Sequence, residues 1–89
     1  MTETSAGTAR VCIVIDPNVR ARGNQTYARF DDVEMPHSAG DLRIGMKVFA
    51  VETESNMGTD ATVADIDPNY EFIYLAVEWR GWRDAGEGG

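Results

Sequence analysis

The sequence predicts a single small all-β barrel of five strands, and three observations support this fold class. No window of about eleven residues or more repeats apolar side chains at helical spacing without a Gly, Pro or turn cluster interrupting it. Short apolar or alternating segments instead recur at intervals of about ten residues, and turn residues separate them. A chain of 89 residues has room for one core. Closure into a barrel would remove the exposed edges of so small a sheet.

The first part of the chain carries two predicted strands. Residues 10–15 are an apolar run that ends at Asp16 and Pro17, because proline removes a backbone donor and favours a turn. A loop rich in Arg, Gly and Asn follows, and a second strand is predicted at 26–30. Residues 34–41 are predicted to be loop, since Pro and Gly interrupt strand ladders.

The clearest pattern lies in residues 46–66. Alternation along 46–54 separates Val48 and Ala50, which we predict to point inward, from Phe49 on the opposite face. Residues 55–58 are predicted to form a hairpin loop that includes Gly58. The next strand is predicted at 62–66, with Val63 pointing inward.

The last long strand is predicted at 71–79, after a turn that Asp67 and Pro68 open with the residue types a type I turn prefers. One face of this strand is expected to anchor the core: Ile73, Leu75, Val77 and Trp79. We expect the barrel to span residues 9–83 and the segments 1–8 and 84–89 to be disordered, flexible tails.

The strand succession in 42–51, 61–67 and 73–79 resembles that of SH3-like barrels of the Tudor and KOW type. In those barrels a glycine, here Gly45, commonly opens a strand, a short hairpin returns, and a Val- or Leu-rich strand follows. The arrangement is also similar to small uncharacterised proteins of actinobacteria and their phages. The resemblance implies an SH3-like fold and, for Tudor-type barrels, cages of aromatic rings that bind cations. Five aromatic residues are candidates for such a cage or for covering the barrel end: Tyr27, Phe30, Tyr70, Phe72 and Tyr74.

The charge is acidic and unevenly distributed. The formal net charge is -7; residues 1–30 sum to +2 and residues 31–89 sum to -9. Nucleic-acid binders need Lys and Arg to displace counterions from phosphates, so direct nucleic-acid binding is disfavoured. The single cysteine favours a reducing cytoplasm, and no segment is long and apolar enough to span a membrane. We expect a cytoplasmic protein, or a virion-associated one if it comes from a phage.

The supply of reactive groups predicts that the chain is not an enzyme. His37 and Cys12 are its one histidine and one cysteine. Cys12 lies in an apolar run, where burial raises the pKa of a thiol and makes it a weak nucleophile. The carboxylates match no known calcium loop, so no metal site and no cofactor are predicted.

A non-catalytic protein-interaction or assembly module is the leading functional hypothesis, with a phage or bacterial accessory or structural subunit as one form of it. Trp82 follows Gly81, beyond the last strand, and it either contacts a partner or folds back over the barrel end. The partner-binding candidates are Trp82, Arg80, Arg83, Arg20, Arg22 and Tyr27. A protein partner or a second copy of the chain is expected. The alternative hypothesis is that the acidic residues mimic nucleic-acid phosphates and inhibit a basic partner protein.

Overall fold

The structure is a computed structural model that describes residues 10–84. Within this range the helical segments are two 3-10 turns, Phe30–Asp32 and Ala39–Asp41, and there is no α-helix, so the predicted all-β class is confirmed. The strands are β1 (Cys12–Val14), β2 (Gln25–Arg29), β3 (Lys47–Glu52), β4 (Met57–Asp67), β5 (Phe72–Val77) and β6 (Arg83–Asp84). The predicted tails at 1–8 and 85–89 lie outside the described residues. Asp84, which the prediction placed in a tail, pairs with Met57.

The strands form one sheet in the order β1-β3-β4-β5-β2, with the short β6 pairing with β4. β1 runs parallel to β3, and the other pairs are antiparallel. Between Val63 and Asp65 the register of β4 against β5 shifts, as in a β-bulge, which increases the local bend of a strand. The sheet curls into a half-barrel.

The edge of β1 that does not pair with β3 contacts the chain just after β2, rather than β2 itself. Ile13 and Val33 form an antiparallel bridge, and the Glu34 N–H donates to the Cys12 carbonyl at 2.8 Å. β1 contains three residues, so it offers few backbone groups for further pairing. The contact between the two ends of the sheet is therefore limited to a short bridge.

The core lies on the concave side of the sheet, where the predicted inward positions meet. Val48, Ala50 and Val63 are buried, and Ile73 and Leu75 are fully buried, as predicted. The turn after β4 is also confirmed, because the Asp67 carboxylate accepts hydrogen bonds from the backbone N–H groups of the two residues after Pro68.

Phe49 is buried as well, although it lies on the opposite face of β3 from Val48 and Ala50. The guanidinium groups of Arg10 and Arg83 lie 3.9 and 5.0 Å from its ring centroid and cover it. Both arginines are also within 4.0 Å of the Asp60 carboxylate on the neighbouring strand β4. Long-range side-chain contacts therefore bury a ring that strand alternation assigns to the outer face.

The hairpin between β3 and β4 starts and ends earlier than predicted. β4 begins at Met57 instead of residue 62, and Gly58 is a buried strand residue that pairs with Val51. Asn56 adopts the left-handed backbone conformation of the turn, with φ of 54°. Asparagine tolerates this conformation better than most residues, so the turn does not need Gly58.

Candidate functional site

The segment before β2 folds over the outer side of β5 and positions two arginines there. The indole Nε1 of Trp79 donates a hydrogen bond to the carbonyl of Asn24. Ala21 forms a bridge with Gln25, and its N–H donates to the Gln25 carbonyl at 2.7 Å. Arg22 and Gly23 both have positive φ, which reverses the chain between these contacts. Residues 20–24 are thus held at both ends.

Each of the two arginines in this segment stacks on a ring. The guanidinium of Arg20 lies 3.6 Å from the ring centroid of Trp79, and that of Arg22 lies 3.8 Å from that of Tyr74. Cation-π contacts of this kind stabilise the orientation of a guanidinium and leave its in-plane N–H groups accessible. Arg20 also donates to the Pro17 carbonyl, and Arg22 donates to the Asp65 carboxylate at 2.9 Å.

The rings of β2, β5 and the turn before β5 continue this surface. Tyr27 lies opposite Tyr74 in the antiparallel register, with ring centroids 6.4 Å apart. Its ring is 4.7 Å from that of Phe72, and Phe72 is 6.4 Å from Tyr70. Tyr27 and Tyr70 remain 36% and 72% exposed. We call this surface the arginine-aromatic face, defined by Arg20, Arg22, Tyr27, Tyr70, Phe72, Tyr74 and Trp79.

The rings of this face pack in pairs, and the guanidinium of Arg22 already lies over the ring of Tyr74. A Tudor-type cage instead needs ring faces that are free to take a ligand cation. Phe30, the fifth ring considered for such a cage, packs against the core cluster. The rings of this face are therefore covered by arginine side chains of the same chain rather than arranged as a cage for a ligand cation.

The structure places the predicted partner-binding residues in different surroundings. Arg20, Arg22 and Tyr27 belong to the arginine-aromatic face, where Arg22 and Tyr27 both neighbour Tyr74 and Arg20 stacks on Trp79. Arg83 instead lies over Phe49 and beside Asp60. Arg80 is exposed in the turn after β5.

The structure packs Trp82, rather than the predicted Trp79, against the core. Trp82 is half-buried and packs against the core cluster, as in the second of the two alternatives for it. Trp79 was expected to anchor the core, but β5 ends at Val77 and strand alternation no longer applies at position 79. Trp79 instead lies between Arg20 and Trp82, whose ring centroid is 6.3 Å away.

The ion pair between Arg22 and Asp65 orders one edge of the face. Two hydrogen bonds lower the pKa of the Asp65 carboxyl below its usual value. The bond from Arg22 has the larger effect, and the bond from the Ile66 backbone N–H has the smaller one. The carboxylate therefore stays ionised, and Arg22 stays paired, at any pH near neutrality. Both groups are in contact with solvent, so the pair contributes orientation more than stability.

Chemically reactive groups do not gather at this face. In residues 10–84 no three His, Cys, Asp or Glu side chains are grouped so that they could hold a metal ion. Cys12 lies on β1, and burial raises the pKa of its thiol, as predicted. The nearby charge of Glu34 raises this pKa further, whereas that of Arg10 lowers it.

Cys12 is therefore expected to react slowly with iodoacetamide at pH 8. We expect its rate to be about threefold or more below that of glutathione, because less thiolate is present and access is limited. Glu34→Gln should increase the rate and Arg10→Gln should decrease it, each by about twofold, since each removes one screened charge. Mass spectrometry of the alkylated chain over time measures these rates. Equal rates for the folded protein and glutathione would contradict the prediction.

The fold and this face define the chain as a small all-β half-barrel protein with an exposed arginine-aromatic surface. Comparison with known proteins finds no matching family, no matching curated protein and no matching solved structure. Among residues 10–84, no helix has the length and apolar character that crossing a membrane requires.

Proposed function

We propose that the chain is a non-catalytic interaction module and that a protein partner docks on the arginine-aromatic face. The observation that carries this proposal is the stacking of exposed Arg20 and Arg22 on Trp79 and Tyr74. Trp, Tyr and Arg are the residue types that dominate binding energy at protein interfaces. Side chains that are already ordered lose less conformational entropy when a partner binds.

The half-barrel is compatible with SH3-like barrels, and we extend the proposal to a Tudor- or KOW-type module. Barrels of this kind serve many roles, so the face rather than the fold indicates the function. A small accessory or structural subunit of a bacterial or phage assembly would suit a module of this size. A standard interface covers about 800 Å² on each partner, which is a large share of so small a surface.

Nucleic-acid mimicry finds less support, because many carboxylates are engaged within the fold. Backbone N–H groups donate to five of them: Asp16, Asp32, Asp41, Asp65 and Asp67. Asp65 also pairs with an arginine, as does a sixth carboxylate, that of Asp60. A phosphate mimic needs carboxylates that project freely toward a basic partner. Backbone hydrogen bonds and ion pairs within the fold therefore account for these six carboxylates.

The proposal is tested by affinity capture from the native host with the wild-type chain and with Tyr27→Ala. Truncating a central ring should weaken binding about thirtyfold, so a true partner should be lost. Ile44→Ala, at a residue that is 65% exposed and lies outside the face, is the matched control and should retain the partner. Trp82 is unsuitable for this test, because it packs against the core.

Thermal unfolding of each variant would show whether a lost partner reflects a lost fold. If every protein recovered with the wild-type chain also bound folded Tyr27→Ala at equal strength, the face would not be the docking surface. If Ile44→Ala lost the same partners, the contact would lie elsewhere on the sheet.

A further inference from the structure

We propose that a partner protein adds an extended segment to the free edge of β2, where its backbone pairs with Tyr27 and an apolar side chain enters the adjoining cleft. The site uses main-chain groups and a cleft rather than the rings of the arginine-aromatic face, so it goes beyond the proposed function and does not depend on it. Three features support it: the direction of the Tyr27 backbone, the closure of the edge on both sides of Tyr27, and the size and lining of the cleft.

The backbone of Tyr27 points away from β5. In an antiparallel pair, residues directly opposite each other alternately exchange two hydrogen bonds or none. The Gln25 carbonyl accepts a hydrogen bond from the Ala21 N–H, on the side of β2 that does not pair with β5. Tyr27 follows Gln25 by two residues, so its N–H and C=O point to the same side. Among residues 10–84, no group of the fold forms a hydrogen bond with either of them.

The same edge is closed on both sides of Tyr27. Before it, Gln25 forms a bridge with Ala21, and after it the Arg29 N–H donates to the Asp32 carboxylate at 2.9 Å. Proteins commonly block the edges of a sheet, because unpaired backbone groups attract another strand. Here the blocked ends leave one donor and one acceptor between them. One residue of an added strand completes both of these hydrogen bonds.

A cleft of about 270 Å³ lies beside Tyr27, where β1 and β2 do not pair with each other. The Asp16 and Asp32 carboxylates in its lining already accept backbone hydrogen bonds. Small-molecule sites typically measure about 300 to 1,000 Å³, so this cleft suits one aliphatic side chain rather than a cofactor. Four apolar residues contribute to its lining: Val14, Ile15, Val19 and Ala28.

The strand register indicates which residue of the added segment enters the cleft. Successive side chains of a strand point to opposite faces of the sheet. The residue opposite Tyr27 would place its side chain on the outer face, beside the Tyr27 ring, and its neighbour opposite Ala28 would point inward. Ala28 is buried, has a small side chain and lines the cleft. An apolar residue opposite Ala28 is therefore the anchor of the segment.

A second copy of this chain does not supply such a segment through its own β2. If two copies paired through Tyr27, the residues next to the pair would be Thr26 and Ala28. These side chains are 0% and 3% exposed, because each is buried in the core of its own copy. Neither could enter the cleft of the other copy. The occupant is therefore a segment of another protein that is not already part of a sheet.

The probe is the peptide acetyl-Lys-Thr-Leu-Thr-Lys-amide, in which leucine is the anchor, the threonines favour an extended chain and the lysines provide solubility. NMR titration of the labelled protein measures the dissociation constant and locates the site. We expect saturable shifts of the Tyr27 and Ala28 amide signals with a dissociation constant of about 1 mM, since two backbone hydrogen bonds and one side chain contribute. Serine in place of leucine should weaken binding about tenfold or more.

Two methylated forms of the peptide test the backbone pairing without altering the protein. N-methylation of both threonines removes the N–H groups on the edge that faces β2, and it should weaken binding about tenfold or more. N-methylation of the leucine and of the second lysine is the matched control, because it removes two N–H groups from the opposite edge. The control should weaken binding less than about threefold.

Val19→Phe tests the cleft, because a larger side chain should fill it and weaken binding of the peptide about tenfold or more. Ile44→Phe is the matched control: it adds a ring at a residue that is 65% exposed and does not line the cleft. It should leave the affinity within about twofold. Thermal unfolding shows whether both variants fold, and the methylated peptides decide if Val19→Phe does not.

Either of two results would overturn the proposal: no saturable change at Tyr27 with about 10 mM peptide, or affinities of the two methylated peptides within about twofold of each other. The docking of a partner on the arginine-aromatic face fails by a different result, the recovery of every partner by folded Tyr27→Ala. The two proposals can therefore fail separately.

Discussion

Replacing Ile73 with alanine should lower the free energy of unfolding by about 2 to 5 kcal/mol. Ile73 is fully buried near the start of β5, where it pairs with Ala28 on β2 and Ile66 on β4. The substitution removes apolar surface and leaves a cavity that the surrounding strands fill only in part. Small domains are stable by about 5 to 15 kcal/mol, so this loss is a large share of the total. Urea unfolding followed by circular dichroism measures the change.

Ile44→Ala is the matched control for this prediction, because it makes the same chemical change at a residue that is 65% exposed. It should change the free energy of unfolding by about 0.5 kcal/mol or less. Similar losses for the two variants would mean that Ile73 is not in the core and that the inward face of β5 is wrongly assigned.

Gly58→Ala should destabilise the protein by about 1 to 3 kcal/mol, although alanine favours strands more than glycine does. A methyl group on Gly58 would overlap Cε2 of Phe49 and would lie 2.7 Å from Cζ and 3.0 Å from the Ala50 carbonyl oxygen. The Phe49 ring has little room to move, because it is 2% exposed and lies beneath Arg10 and Arg83. The midpoint of urea unfolding should therefore fall.

Gly40→Ala is the control, because a methyl group there would be 3.7 Å from the Ser38 hydroxyl, an ordinary contact. It should leave stability within about 0.5 kcal/mol of the wild type. Combining Gly58→Ala with Phe49→Leu should cost less than the sum of the single variants, since a smaller side chain makes room for the methyl group. Strict additivity would show that Phe49 is not what excludes a side chain at position 58.

Local sequence patterns predicted the parts of the fold that depend on neighbouring residues. The alternation of Ile73 and Leu75, the inward positions of Val48 and Val63, and the turn at Asp67 are all confirmed. The strand predicted at 26–30 is also present, as β2 (Gln25–Arg29). These features follow from the two-residue period of a strand and from turn chemistry, which act over a few residues.

The candidate site depends on contacts between distant segments, which local patterns do not specify. Residue type alone makes Arg20, Arg22 and Tyr27 binding candidates; in the structure Arg22 and Tyr27 both neighbour Tyr74, and Arg20 stacks on Trp79. Tyr74 is predicted only as a candidate cage ring, and strand alternation assigns Trp79 to the core although β5 ends two residues before it. The composition of the 20–24 segment indicated a loop but contained no information about which strand it covers.

The sequence by itself determined the all-β class, the inward face of β5 and the chemistry of the turns, since each of these depends on the spacing of nearby side chains. The tertiary structure decided which surfaces are covered. It buried Phe49 beneath Arg10 and Arg83, packed Trp82 rather than Trp79 against the core, and stacked Arg22 on Tyr74. These outcomes depend on how the sheet curls and brings remote residues together, and a local pattern does not specify that curvature.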